Sequence, residues 1–108
     1  MRRGDLISVA LPGDYGKPRP ALIVQSDDYL HLQSITVLPL TSNVVSMEAC
    51  RIELEPSDEN GLRQVSQVMV EKSATVPRWK VGPVIGHLSP GDFANVERAL
   101  AVFLGFAE

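Results

Sequence analysis

Pro20-Ala21-Leu22-Ile23-Val24-Gln25 and, beyond a polar interval, Ser34-Ile35-Thr36-Val37-Leu38-Pro39-Leu40 decide the fold. Both are short runs that stay apolar on successive residues, the pattern of strands covered on both faces. They are expected at the centre of a small sheet or barrel. Pro39 has no N–H for a ladder, so it belongs at a ladder-free edge position or a bulge, which places Thr41 and Ser42 where the strand ends.

The flanking segments support the same architecture. Asp5-Leu6-Ile7-Ser8-Val9-Ala10-Leu11 is a β-type run, stopped by Pro12-Gly13-Asp14-Tyr15-Gly16-Lys17-Pro18, whose glycines and prolines preclude regular structure. Cys50-Arg51-Ile52-Glu53-Leu54-Glu55 alternates apolar and charged residues, as a strand with one wet face does. Pro56-Ser57-Asp58-Glu59-Asn60-Gly61 makes a turn, Gln64 to Glu71 resumes the extended pattern, and a further short strand is expected around Val84-Ile85-Gly86-His87-Leu88. The end differs in kind. Ser89 suits a helix cap, Pro90 its first turn, and Phe93, Val96, Leu100, Phe103 and Leu104 recur at helical spacing up to Gly105. That stripe reads as core packing, and Asp92 forms a weak capping box with Ser89. The expectation is a mostly β protein: a small antiparallel barrel with one C-terminal amphipathic helix, forming a single domain over residues 1–108.

Composition narrows the function classes. The only cysteine, Cys50, has no disulfide partner, and His31 and His87 lie far apart, so no zinc spacing exists. With no carboxylate cluster suited to magnesium and no glycine-rich phosphate loop opening a helix, neither a metal nor a cofactor is expected. No apolar stretch approaches the roughly 20 residues that span a bilayer, and Met1-Arg2-Arg3-Gly4-Asp5 turns acidic before any leader-like region, so a cytoplasmic location without a membrane anchor is expected. A net charge of −3 argues against coating nucleic acid through bulk electrostatics. It leaves room for a local basic pocket: Arg2, Arg3, Lys17 and Arg19 are four of the ten Lys and Arg residues and sit in the first fifth of the chain.

Read in order, Arg3-Gly4-Asp5, Arg19-Pro20-Ala21-Leu22-Ile23-Val24, Leu38-Pro39-Leu40-Thr41-Ser42, Gly61-Leu62 followed by Ser66, and Ile85-Gly86-His87-Leu88 before a final helix resemble the MazF/PemK/Kid toxin family. The resemblance spans nearly the whole chain. It implies an SH3-like barrel of the type shared with CcdB, a homodimer, and sequence-selective cleavage of single-stranded RNA. It also implies a cognate antitoxin, with DNA met only indirectly through the antitoxin complex. In the family, the arginine of the Arg-Pro-Ala segment and the threonine of the Thr-Ser pair act in catalysis and binding, and they match Arg19 and Thr41. Two other readings fit the same resemblance: a CcdB-like gyrase poison that catalyses nothing, and a silent relative that binds only its antitoxin.

Metal-free RNA cleavage uses the ribose 2′-hydroxyl as nucleophile, so the protein must orient in-line attack, move protons and stabilise charge on the phosphoryl oxygens. Arg19 suits the last task with its planar, permanently charged fork. Thr41 and Ser42 offer hydroxyls to phosphate or base edge, or else form a turn through side-chain to backbone bonds. Family members place a Glu or His in the first loop, where this chain has Asp14, Tyr15 and Lys17. Asp14 serves as a base if that loop folds toward Arg19 and is otherwise a solvated carboxylate, while Lys17 suits phosphate contact. Where Kid-like relatives carry an arginine and then an aspartate, this chain has Met69 and Glu71. Glu71 is therefore a general base, an acceptor that reads an RNA base, or a strand-end surface carboxylate paired with Lys72. Ser66, Gln67 and Thr75 line an RNA groove or form the outward face of a strand. His87 reads as structural, and Trp79 either stacks on a base or anchors its loop. Base preference is expected to depend on the loops Asp14–Lys17 and Asn43–Ala49.

Overall fold

A computed structural model describes residues 1–46 and 50–108. In chain order these hold β1 (Asp5–Val9), β2 (Arg19–Ile23), β3 (Ser34–Thr41), β4 (Arg51–Leu54), β5 (Ser66–Met69), β6 (Ala74–Pro77), β7 (Val84–His87) and α1 (Pro90–Phe103). The strands pair antiparallel in the order β4-β5-β3-β2-β1-β7, with β6 also on β3. The result is a mostly β half-barrel with one C-terminal helix.

β3 is the branch point. One of its edges pairs with β2, while the other pairs with β6 over Ser34–Val37 and with β5 at Leu40–Thr41. The Val24 N–H donates to the Thr36 carbonyl, so Thr36 and Leu38 turn their backbone groups toward β2 and Val37 and Pro39 turn theirs away. The N–H that Pro39 lacks therefore falls in the interval after β6 has left and before β5 begins. A central strand thus contains the one ladder-free position that a proline tolerates.

Both faces of this sheet are covered, as the unbroken apolar runs imply. Leu6, Leu22, Leu38 and Leu40 point into one core with Leu54, Val68, Val70 and the helix residues Val96 and Ala99. Ile7, Val9, Ala21, Ile23, Ile35 and Val37 point the other way, onto Leu30 and Val76. α1 begins as its sequence indicates: the Ser89 hydroxyl accepts from the Asp92 N–H at 3.1 Å, and Pro90 occupies the first turn. It ends in a left-handed Gly105, with the Phe106 N–H donating to Ala101 O and the Gly105 N–H to Val102 O.

Three expectations are corrected. The Gln64–Glu71 run does not stay extended, because β5 stops at Met69 and Val70–Lys72 forms a 3-10 turn that turns the chain into β6. The helix stripe is core only along its first part: Phe93, Val96 and Leu100 pack inward, whereas Phe103, Leu104 and Phe106 are exposed beyond the edge of the sheet. Trp79 anchors nothing, since it is 79% exposed with the Lys80 ammonium over its ring.

Candidate active site

Arg19 opens β2 and Thr41 closes β3. The register that sets Ala21 against Pro39 carries Arg19 to the level of Thr41, so residues remote in sequence meet at one end of the central strands. They stand on a ridge between two clefts. One, of about 580 Å³, runs past Asp14, Asn43, Met69 and Lys72; the other, of about 610 Å³, runs past Lys17, Arg63, Gln64 and Ser66. Arg19, Leu40, Thr41 and Ser42 line both.

The first loop folds toward this ridge. Its backbone reverses through left-handed Gly13, Tyr15 and Gly16, with the Asp14 N–H donating to Leu11 O and the Lys17 N–H to Asp14 O. Tyr15 takes that conformation without being glycine, and its ring is fully exposed. The turn sets Asp14 Oδ1 at 3.3 Å from Arg19 Nε. Asp14 is thus an ion-pair partner of Arg19 rather than a solvated carboxylate, and the arginine, its side chain 45% exposed, keeps part of its fork open to solvent.

The Thr41 oxygen accepts from the Asn43 N–H at 3.1 Å, which makes the turn considered for the Thr-Ser pair. Its own O–H remains a donor, and Ser42 is exposed beside it. The turn and a role at the ridge are compatible.

The remaining expected site residues fall elsewhere. Glu71 does not pair with Lys72: its carboxylate receives Arg51 Nη2 at 2.6 Å and Nε at 2.9 Å, and it is not among the residues lining either cleft. Those hydrogen bonds hold the Glu71 carboxyl below the usual glutamate range, against the opposing effect of burial, and raise Arg51. Gln67 is 5% exposed, so it presents nothing to a ligand; its carboxamide is spent on the Val45 backbone. Ser66 is buried and donates its hydroxyl to Gln64 O, at the wall of the second cleft. Thr75 lies on the face of β6 opposite Ala74, which lines the first cleft, and so points away from it. His87 sits 3.6 Å from Glu59, outside both clefts. Of the loop Asn43–Ala49, residues 47–49 lie outside the described residues.

Sequence reasoning missed Arg63, Gln64 and Lys72 as lining residues, whereas Asn43 belongs to a loop on which base preference was expected to depend. A cation next to Gly61-Leu62 was the available signal for Arg63. The turn that presents it is built on Asn60, buried, whose Oδ1 accepts from the Ser57 and Leu62 N–H groups while Nδ2 donates to Glu55 O. Among the described residues no group of three or more His, Cys, Asp or Glu side chains is arranged to hold a metal ion. Among them, too, no helix is long and apolar enough to cross a membrane.

An antiparallel half-barrel closed by a C-terminal helix is a fold that this chain shares with solved bacterial toxins. Mycobacterium tuberculosis toxin MazF-mt6 shares it with a TM-score of 0.80 at 26% identity, over 94% of this chain and 96% of that one. An endoribonuclease from a mycobacterial species, solved in complex with its cognate antitoxin, has the same fold, with a TM-score of 0.84 at 21% identity over 100% of this chain and 98% of that one. The chain belongs to the PemK-like, MazF-like toxin family of type II toxin–antitoxin systems, which it matches over residues 2–104. The probable endoribonuclease MazF of Mycolicibacterium smegmatis is 44% identical to it over 108 residues, 99% of each chain.

Proposed function

We propose that this toxin is an endoribonuclease that cuts single-stranded RNA at short specific sequences, using the ribose 2′-hydroxyl as nucleophile and no metal ion. The observation that carries the reading is the meeting of Arg19 and Thr41 on a ridge open on both sides, which suits a strand lying across it. The name of the Mycolicibacterium smegmatis relative supports the same activity.

With a phosphate on the ridge, the Arg19 fork faces the non-bridging oxygens, where negative charge grows as the 2′-oxygen attacks phosphorus and the bond to the leaving 5′-oxygen breaks. Thr41 and Ser42 donate hydroxyl hydrogen bonds that fix the phosphate for in-line attack. Asp14, seated on Arg19, takes the proton from the 2′-hydroxyl, and a proton from solvent goes to the leaving 5′-oxygen, so that the products are a 2′,3′-cyclic phosphate and a 5′-hydroxyl end. Lys17 engages a neighbouring phosphate along the second cleft. Glu71, committed to Arg51, is given no part in proton transfer.

A cognate antitoxin as partner is supported by the mycobacterial complex. Pairing of two chains is supported by the apolar side chains left uncovered at the end of α1. A cytoplasmic location is supported by the proposed action on RNA.

The test incubates wild type, Arg19→Ala and Arg19→Lys with a long single-stranded RNA in EDTA and maps the ends. Wild type is expected to cut at a short recurring sequence. Arg19→Ala should lose about 100-fold or more in kcat/KM, and Arg19→Lys should recover little of it, because an ammonium does not reproduce the fork. No cutting by wild type, or equal cutting by all three, defeats the proposal, and gyrase-dependent DNA breakage without RNA cutting selects the CcdB-like reading instead.

A further inference from the structure

Behind the ridge runs a chain of buried polar contacts that the cleavage chemistry does not use. The Glu71 carboxylate grips Arg51, and Arg51 Nη1 donates to Gln67 Oε1 at 3.3 Å. The Gln67 carboxamide then holds Val45 from both sides: Oε1 accepts from the Val45 N–H at 3.1 Å, and Nε2 donates to the Val45 carbonyl at 2.7 Å. A side chain thus stands in for a ladder partner just past the end of β3. The segment it clasps lines the site, since Thr41, Ser42 and Asn43 border the first cleft and Thr41 Oγ1 holds the Asn43 N–H. Residues 42–44 are therefore an arch pinned at one end by Thr41 and at the other by Gln67.

We infer that Gln67 is a positioning residue that sets which RNA sequence the toxin accepts, acting through the Val45 backbone rather than by touching RNA. This rests on the endoribonuclease reading of the ridge. The physical argument is one of pre-organisation. A recognition segment with few contacts of its own reads bases only if something rigid fixes its backbone, and loss of about an ångström of precision is costly. Gln67 is fit for this because β5 is paired on both sides, to Thr41 in β3 and Glu53 in β4, so the carboxamide projects from fixed backbone. Arg51 leaves only one amide orientation satisfied: the oxygen must face the two donors and the nitrogen the Val45 carbonyl. The Glu71–Arg51 pair accordingly acts at second remove from the RNA, orienting the residue that orients the arch.

The experiment compares wild type, Gln67→Met and Gln67→Glu in kinetics on an oligonucleotide carrying the preferred site and in end mapping on a long RNA. Amide hydrogen exchange at Val45 is followed alongside. Gln67→Met keeps the volume and removes every clasp bond. Gln67→Glu keeps the acceptor for Val45 and Arg51 and loses the donor. For Gln67→Met we expect faster exchange at Val45, KM raised about tenfold with kcat within about twofold, and about tenfold less discrimination between preferred and secondary sites. Gln67→Glu should fall between this and wild type; if Gln67→Met does not fold, Gln67→Glu is judged by the same criteria. A folded variant with the KM and site preference of wild type overturns the inference, as does a fall in kcat alone with site preference intact. A wild type that cuts no RNA defeats the underlying reading, and the inference with it, which is a different result from a wild type that cuts and a variant that matches it.

Discussion

At the residue scale, Glu71 shows how far a carboxylate's neighbours change its meaning. Arg51 holds its pKa below the ordinary value of 4.5, so the ion pair contributes stability that is present above that value and lost as pH falls through the lower folded-state value. Arg51 is raised from an already high value and stays charged throughout, adding no pH dependence. Glu71→Gln should therefore lose roughly 1–3 kcal/mol at neutral pH, because charged hydrogen bonds to Arg51 are exchanged for neutral ones. The deficit should shrink in acid, where wild type loses the same contribution. Urea melts at about pH 7 and about pH 3.5 check this; a deficit of equal size at both would show that the pair's charge is not what stabilises it. Arg19 and Thr41 were singled out by the resemblance alone, and it is the register of β2 on β3 that brings the two to one level. Glu71 and Gln67 were misread because their partners, Arg51 and Val45, stand in other elements, and local patterning records no such contact.

At the element scale, strands covered on both faces and a capped helix announce themselves through period and end chemistry, and β1, β2, β3 and α1 lie close to where those signals put them. β6 was hidden because four residues ending in proline carry too little alternation, and its pairing with β3 is long-range. The close approach of the turn around Asn60 to β7 was equally hidden. Gly61 sits there with φ +69°, and a Cβ on it would run into the Ile85 carbonyl; one on Gly86 would strike the Asn60 backbone. Gly61→Ala is thus expected to cost at least about 3 kcal/mol, combining left-handed strain with overpacking against backbone that has no room to move. Gly91→Ala, where an added Cβ meets nothing, should instead gain roughly 0.4–1 kcal/mol. Thermal or urea unfolding of the two variants decides it: equal stability would mean that the turn and β7 are not in fixed contact.

At the scale of the whole molecule, a chain of net charge −3 is asked to hold a polyanion. Long-range attraction is unavailable to it, so binding must come from cations placed at the clefts: Arg19 on the ridge, Lys17 and Arg63 along the second cleft, and Lys72 along the first. Each phosphate neutralised by one of them releases counterions and adds about −0.7 to the log–log slope of affinity against salt for a single strand. Three or four contacts thus give a total slope of about −2 to −3, modest beside that of proteins that coat nucleic acid. Arg63→Gln should weaken oligonucleotide binding and reduce the magnitude of the slope by about 0.7. Arg98→Gln, which removes the same charge from a separate groove beside α1, should leave the slope unchanged. Fluorescence anisotropy with a non-cleavable 2′-deoxy oligonucleotide across a salt series separates the two. Equal loss of slope in both variants would mean that the toxin responds to its net charge, and that the second cleft holds no phosphate; loss confined to Arg63→Gln places the strand across the ridge and along that cleft.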